Sequence, residues 1–321
     1  WSSDVCSSDL HKEYESGKTR KPHFKSTLDM RQQISRSDHR RGILEILFSG
    51  ICLGFLGIFG KLSYSLNLLP GEFLAFRFII ASLSLGLFLF LFQREQMRMG
   101  AKTSIAAFLL GVFGYAVFSS CYFFALKGLS VALTVLLLYT YPIWVTLGSR
   151  LFFGERLSRP QWLALPLMMA GLLALLWGEF GARDPLSLLL GFLSSVFYSI
   201  YILLSRKWLE GAPSLPSAFF VMLGAALVLG ALHVRTIPQD PRLWLTLAGT
   251  SLISTIAAMS LFLAGLQKLS GAETSMLSLA EPFTAVILGF LVFEESLSAV
   301  QWSGALVVLG GLVFLAVFKD R

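Results

Sequence analysis

Glu281 stands immediately before Pro282 within a long apolar run, and this pairing is the strongest chemical signal in the chain. A proline brings no backbone N–H and crowds the carbonyl four residues back, so a helix opens there and leaves carbonyls free for a ligand. A carboxylate at such an opening could bind a ligand amine or carry a proton. The plainer alternative is a structural carboxylate hydrogen-bonded to a neighbouring helix. Pro142 marks a second opening, where the preceding residue is Tyr141. Tyr139 and Trp144 are five apart and take different stripes. Tyr141 and Trp144 share a face at i, i+3 and could wall a planar or apolar ligand. Aromatics in such helices also serve as plain packing or interface anchors. Tyr198 and Tyr201 repeat the i, i+3 spacing beside Ser194 and Ser195. Arg77 is the candidate for an anionic group such as a carboxylate; pairing with Glu72 or snorkelling to lipid headgroups is the competing reading.

The elements that must hold these residues follow from composition. Hydrophobic residues make up 55% of the 321 and charged residues 14%, against about 25% charged in soluble domains. The mean hydropathy is +0.71. Apolar runs long enough to cross ~30 Å of hydrocarbon as helices recur along the chain. Ten are readable: 43–65, 72–92, 103–126, 130–149, 161–178, 186–205, 214–234, 243–266, 272–293 and 299–318. Backbone groups in lipid must be satisfied within the segment, so the expected class is all-α and integral to the membrane. Glu281 then falls near the middle of the ninth helix, where a charge costs roughly 2.5–3.5 kcal/mol on insertion scales and needs a reason to be there.

Other chemistries have little to build on. Cys6, Cys52 and Cys121 have no metal or disulfide spacing, and three of the four histidines lie in the polar tail. No aspartate falls inside the ten runs, and no phosphate-cradling loop is present, so neither a metal, a cofactor nor ATP-driven pumping is expected. Residues 1–41 are polar and basic without apolar periodicity. Residues 1–10 have the look of an assembly or reading-frame scar, and Met30 is the better start, so residues 1–29 are set aside. The tail reads as a topology signal rather than a nucleic-acid binder.

Residues 129–172 recur at 269–312 with a constant offset of 140 and no gap. Fifteen positions are identical, including Leu129-Ser130/Leu269-Ser270, Pro142/Pro282, Phe153-x-Glu155-x-Leu157-Ser158/Phe293-x-Glu295-x-Leu297-Ser298, Gln161-Trp162/Gln301-Trp302 and Gly171-Leu172/Gly311-Leu312. So long a period means a duplicated domain, with residues 42–182 as one copy and 183–321 as the other. Lys and Arg in the loops divide fifteen against four if the N-terminus is cytoplasmic, so both termini are expected inside. Five helices per copy then invert the second copy, giving the two near-equivalent states that alternating access uses. Glu155 and Glu295 become matching corners on opposite faces, read as structural caps or gates. The glycines at 50, 54, 57 and 60, at 111 and 114, and at 304, 310 and 311 suit close helix packing in lipid.

The run Tyr122-Phe123-Phe124-Ala125-Leu126-Lys127-Gly128-Leu129, the Pro142 helix, Gly154-Glu155-Arg156-Leu157-Ser158, and then Glu281-Pro282 with Glu294-Glu295-Ser296-Leu297-Ser298 resemble the EamA family of the drug/metabolite transporter superfamily. The resemblance covers residues 42–318. It implies ten transmembrane helices as two inverted five-helix repeats around a central cavity lined by helices one, three, four, six, eight and nine. It also implies export or exchange of amino acids or related small metabolites across the cytoplasmic membrane. The chain departs from strict symmetry at Tyr141 and Glu281, which makes the site chemically uneven. The expected partners are a small-molecule substrate and the lipid bilayer, with protons as a further partner if proton exchange through Glu281, and not the substrate gradient itself, drives transport. A multidrug or nucleotide-sugar carrier, and a non-transporting membrane assembly or regulatory protein, remain as alternatives.

Overall fold

The computed structural model describes residues 36–97, 99–178, 185–294 and 296–317, and no β-strand element occurs among them. The helices in chain order are α1 (Arg36–Ser65), α2 (Pro70–Phe92), α3 (Ala101–Ala125), α4 (Val131–Phe153) and α5 (Arg159–Leu175). They continue as α6 (Pro185–Trp208), α7 (Ser214–His233), α8 (Pro241–Leu266), α9 (Gly271–Phe293) and α10 (Ala299–Val317). Among the described residues, nine are long and apolar enough to cross a membrane; α5, with 17 residues, is the short one. Large apolar side chains such as Phe92, Leu151 and Leu245 lie three-quarters exposed, an arrangement that suits lipid and not water.

Local chemistry sets the helix ends, and it explains much of the sequence repetition. Ser130 and Ser270 cap α4 and α9 by accepting the N–H groups of Leu133 and Glu273. Ser158 with Gln161, and Ser298 with Gln301, form reciprocal capping boxes at the starts of α5 and α10. Ser158→Ala should therefore lower stability by about 1 kcal/mol. An unchanged unfolding midpoint in detergent would contradict this. The helices α4 and α9 both end on a left-handed residue, Gly154 at φ 66° and Glu294 at φ 55°. Gly154 takes that conformation freely, whereas Glu294 pays a steric cost.

Packing relies on close backbone approach. A Cβ on Gly304 would fall on the backbone of Gly171–Leu175, one on Gly171 would meet Val307 and Val308, and one on Gly311 would meet Met168. The α5–α10 seam is thus antiparallel. Its contacts also recur in pairs, because Gly171 against Val308 and Met168 against Gly311 map onto one another at the offset of 140. Elsewhere buried hydroxyls join helices: Ser49 to the Ala258 carbonyl (2.8 Å), Ser254 to that of Cys52 (2.7 Å) and Ser251 to that of Arg77 (3.0 Å).

The starts of α1, α7 and α9 meet the ends of α4, α6 and α8 at one end of the bundle, here the near end. His39 pairs with Glu273 at 2.9 Å, Glu45 pairs with both Arg41 and Lys268, and Arg206 pairs with Glu155. Two helices are broken. In α4 the break lies between Leu138 and Tyr141, and in α9 between Leu277 and Ala280. Their near-end halves, Tyr141–Phe153 and Gly271–Leu277, pack against each other. The far-end halves pack elsewhere, Val131–Leu138 on α6 and Ala280–Phe293 on α10.

Candidate functional site

The two prolines produce the two breaks. Pro282 cannot donate to the Ser278 carbonyl, which instead accepts the N–H of Glu281 at 3.0 Å. At the other break, the Leu137 carbonyl accepts both the N–H of Thr140 (3.2 Å) and its hydroxyl (2.7 Å). Both turns are thereby tightened. Glu281 lands in the first turn of the restarted helix, where the amide dipoles favour a negative charge.

Around Glu281 the chain gathers tyrosines. Tyr139 lies within hydrogen-bonding reach of its carboxyl, and Tyr115, Tyr122, Tyr141 and Tyr198 lie within electrostatic range. The rings form a continuous wall. Tyr139 meets Tyr141 at 5.8 Å between centroids, Tyr141 meets Tyr198 edge-on at 4.7 Å, and Tyr198 stacks on Tyr201 at 6.0 Å. Tyr201 in turn meets Tyr115 edge-on at 5.6 Å. Two hydrogen bonds lock the wall to its neighbours. The Ser199 hydroxyl donates to the Tyr141 carbonyl at 3.2 Å, and the Tyr141 hydroxyl donates to the Ser275 carbonyl at 3.4 Å.

Arg77 belongs to the same assembly. It is 2% exposed, so it does not snorkel, and its Nη2 donates to the Tyr115 hydroxyl at 3.2 Å. Its charge reaches Glu281, yet no ion pair joins the two among the described residues. Glu72 is engaged instead in capping its own helix through the Leu69 N–H at 3.4 Å.

Two sequence candidates lie outside this group. Trp144 makes its ring contact with Phe192, edge-on at 5.5 Å, away from the tyrosine wall. Glu155 pairs with Arg206 at the near end, and the Arg206 guanidinium lies over Phe153 at 5.3 Å. Its counterpart Glu295 lies outside the described residues, and Lys61 sits over the Phe293 ring at 4.0 Å.

Tyr115 and Tyr122 are additions that sequence reasoning missed. Each of α3 and α8 contains a six-residue π-helical segment, Leu110–Tyr115 and Leu252–Ala257. Such segments widen a helix locally and occur often at functional sites. The i, i+7 spacing of the two tyrosines, one stripe of a helix, was the available signal.

Comparison with known proteins gives the assignment. The model of the EamA-like transporter family matches twice, at residues 40–177 and 185–317. YwfM, an uncharacterized transporter of Bacillus subtilis, is 32% identical over 65% of this chain and 74% of its own. YicL, an uncharacterized inner membrane transporter of Salmonella typhimurium, is 22% identical over 88% of this chain and 97% of its own. A solved crystal structure superposes with a TM-score of 0.74 at 20% identity, covering 87% of this chain and 96% of that one. The protein is a multi-pass membrane protein that belongs to the EamA-like transporter family.

Proposed function

We propose that the protein is a secondary carrier that exports a small metabolite, an amino acid in the favoured case, across the cytoplasmic membrane by alternating access. The observation that carries the substrate reading is the pair Glu281 and Arg77, a carboxyl and a guanidinium in one tyrosine-walled site with no ion pair between them. An ammonium suits the first and a carboxylate the second. A nucleotide sugar would want several cations, whereas among the described residues Arg77 is the cation bonded to a tyrosine of this site. A carboxylate turned inward among tyrosines also favours a carrier over a scaffold.

The reading takes ten crossings in two inverted repeats. Its supports are the twofold match of the family model, the paired contacts of the α5–α10 seam, and the matched end-anchors Lys61 over Phe293 and Arg206 over Phe153. That α5 runs antiparallel to α10 from Met168 to Leu175 supports counting it as a crossing despite its length. The excess of Lys and Arg supports a cytoplasmic near end, with both termini on that side. The parted far-end halves of α4 and α9 then correspond to an outward-facing state.

Protein in liposomes should show saturable, competitor-sensitive counterflow of a radiolabelled amino acid from a metabolite panel. If Glu281 carries the coupling proton, Glu281→Gln should abolish gradient-driven accumulation and leave counterflow. Uphill transport retained by the variant would refute the coupling role. Silence of folded, inserted wild-type protein across the panel would count against the substrate class.

A further inference from the structure

We infer that Tyr115 is a positioning residue that sets selectivity for ligands bearing a carboxylate, by fixing the guanidinium of Arg77; this rests on the carrier reading above. Arg77 is held from three directions. Its backbone carbonyl accepts the Ser251 hydroxyl at 3.0 Å, directly before the π segment of α8. Its guanidinium lies over the Phe78 ring at 4.7 Å, and Nη2 donates to Tyr115 at 3.2 Å. Tyr115 is the last residue of the other π segment, so residues at the edges of both segments hold Arg77, one at its backbone and one at its guanidinium.

Tyr115 is itself fixed. Its ring sits edge-on to Phe78 (4.9 Å), Phe118 (4.6 Å) and Tyr201 (5.6 Å). The Nε of Arg77 is buried and has no partner. A buried, unpaired donor on a cation is costly unless something completes it. A carboxylate completes it, since guanidinium presents its N–H groups as a planar fork that matches two carboxylate oxygens. Glu281 does not fill that place, for no ion pair joins it to Arg77 among the described residues. Nε is closed off in this conformation, so the ligand's carboxylate meets it once the site opens, and the Tyr115 hydroxyl decides where Nε is. Nothing in this role requires Tyr115 to touch the ligand.

The test is a discrimination ratio. KM in counterflow is measured for an amino acid of the panel and for its decarboxylated amine, for example phenylalanine against phenethylamine and leucine against isoamylamine. Wild-type protein should prefer the amino acid. Tyr115→Phe keeps the ring contacts and removes only the hydroxyl, so the ratio should fall about tenfold, the size expected for one hydrogen bond to a charged group. Arg77→Lys should show the same fall, and the double variant should add little, because both changes remove one arrangement. A wild-type ratio retained in Tyr115→Phe, with Arg77→Lys impaired, overturns the role of Tyr115 and leaves the carrier standing. Counterflow of amines and amino acids alike by the wild type overturns it too. No wild-type counterflow of any probe removes the carrier reading, and this inference with it. Thermal unfolding of each variant separates misfolding from lost selectivity.

Discussion

Joining residues 149 and 271 by a disulfide should stop transport, and reducing it should restore transport. A Cβ on Gly271 would lie against the Ser149 hydroxyl, beside Val145 at 3.4 Å and the Arg206 guanidinium at 3.6 Å. The near-end halves of α4 and α9 are thus in direct contact, and Arg206 with Glu155 stands next to that contact. If these halves must part to open the site to the near side, a covalent tie holds the carrier in one state. Counterflow of the oxidised Ser149→Cys/Gly271→Cys protein should fall below about a tenth of its reduced value, since a locked carrier keeps one face closed. Complete cross-linking with unchanged counterflow would show that the seam does not open.

The duplication extends the argument to the far end. At the offset of 140, Ser149 and Gly271 correspond to Gly289 and Val131, and Val145 corresponds to Ala285. Here Val131 is 67% exposed while Gly289 is buried. Exchange of conformations between the repeats would bring Val131 onto Gly289 and Ala285 as the near-end seam separates. Cysteines at 131 and 289 should accordingly cross-link faster during turnover than at rest.

Much of the candidate site was legible because its signals are local. A proline breaks its helix wherever the chain runs, so the openings at Pro142 and Pro282 followed from sequence. Glu281 and Arg77 were conspicuous because charges in apolar runs are rare. The identities between the copies were a subtler guide. Ser130, Ser158 and Gln161, with their counterparts, proved to be helix caps, and Gly171 and Gly311 proved to be seam glycines; few of them touch the site. What stayed hidden depends on long-range packing. No residue type announces a π turn, so the register that brings Tyr115 to Arg77 was not readable. Trp144 shares a helix with Tyr141, but its ring contact is with Phe192 on α6, a choice that spacing along α4 could not reveal.

The close crossing of α3 and α7 carries the largest expected effect on folding. A Cβ on Gly111 would collide with the Val221 carbonyl, and one on Gly224 with the Phe108 carbonyl. These are backbone atoms, which cannot rotate away as a side-chain tip can, so even alanine must push the helices apart. Gly111→Ala and Gly224→Ala should each destabilise the protein by about 1–3 kcal/mol, the usual cost of overpacking. The unfolding midpoint in detergent reads it. The two losses should add poorly, because helices already parted for one methyl accommodate the other. Gly310→Ala provides the contrast: nothing lies within 4 Å of its Cβ, so the change should be neutral or stabilising by up to about 1 kcal/mol from helix propensity. Equal midpoints for all three variants would mean that the crossing tolerates separation. The consequence reaches the site, because Gly111 lies in the π segment that ends four residues later at Tyr115. Displacing α3 there should lengthen the 3.2 Å bond to Arg77. Gly111→Ala should therefore lose selectivity for the carboxylate as well as stability, whereas Ser158→Ala, which weakens a cap remote from that bond, should lose only stability.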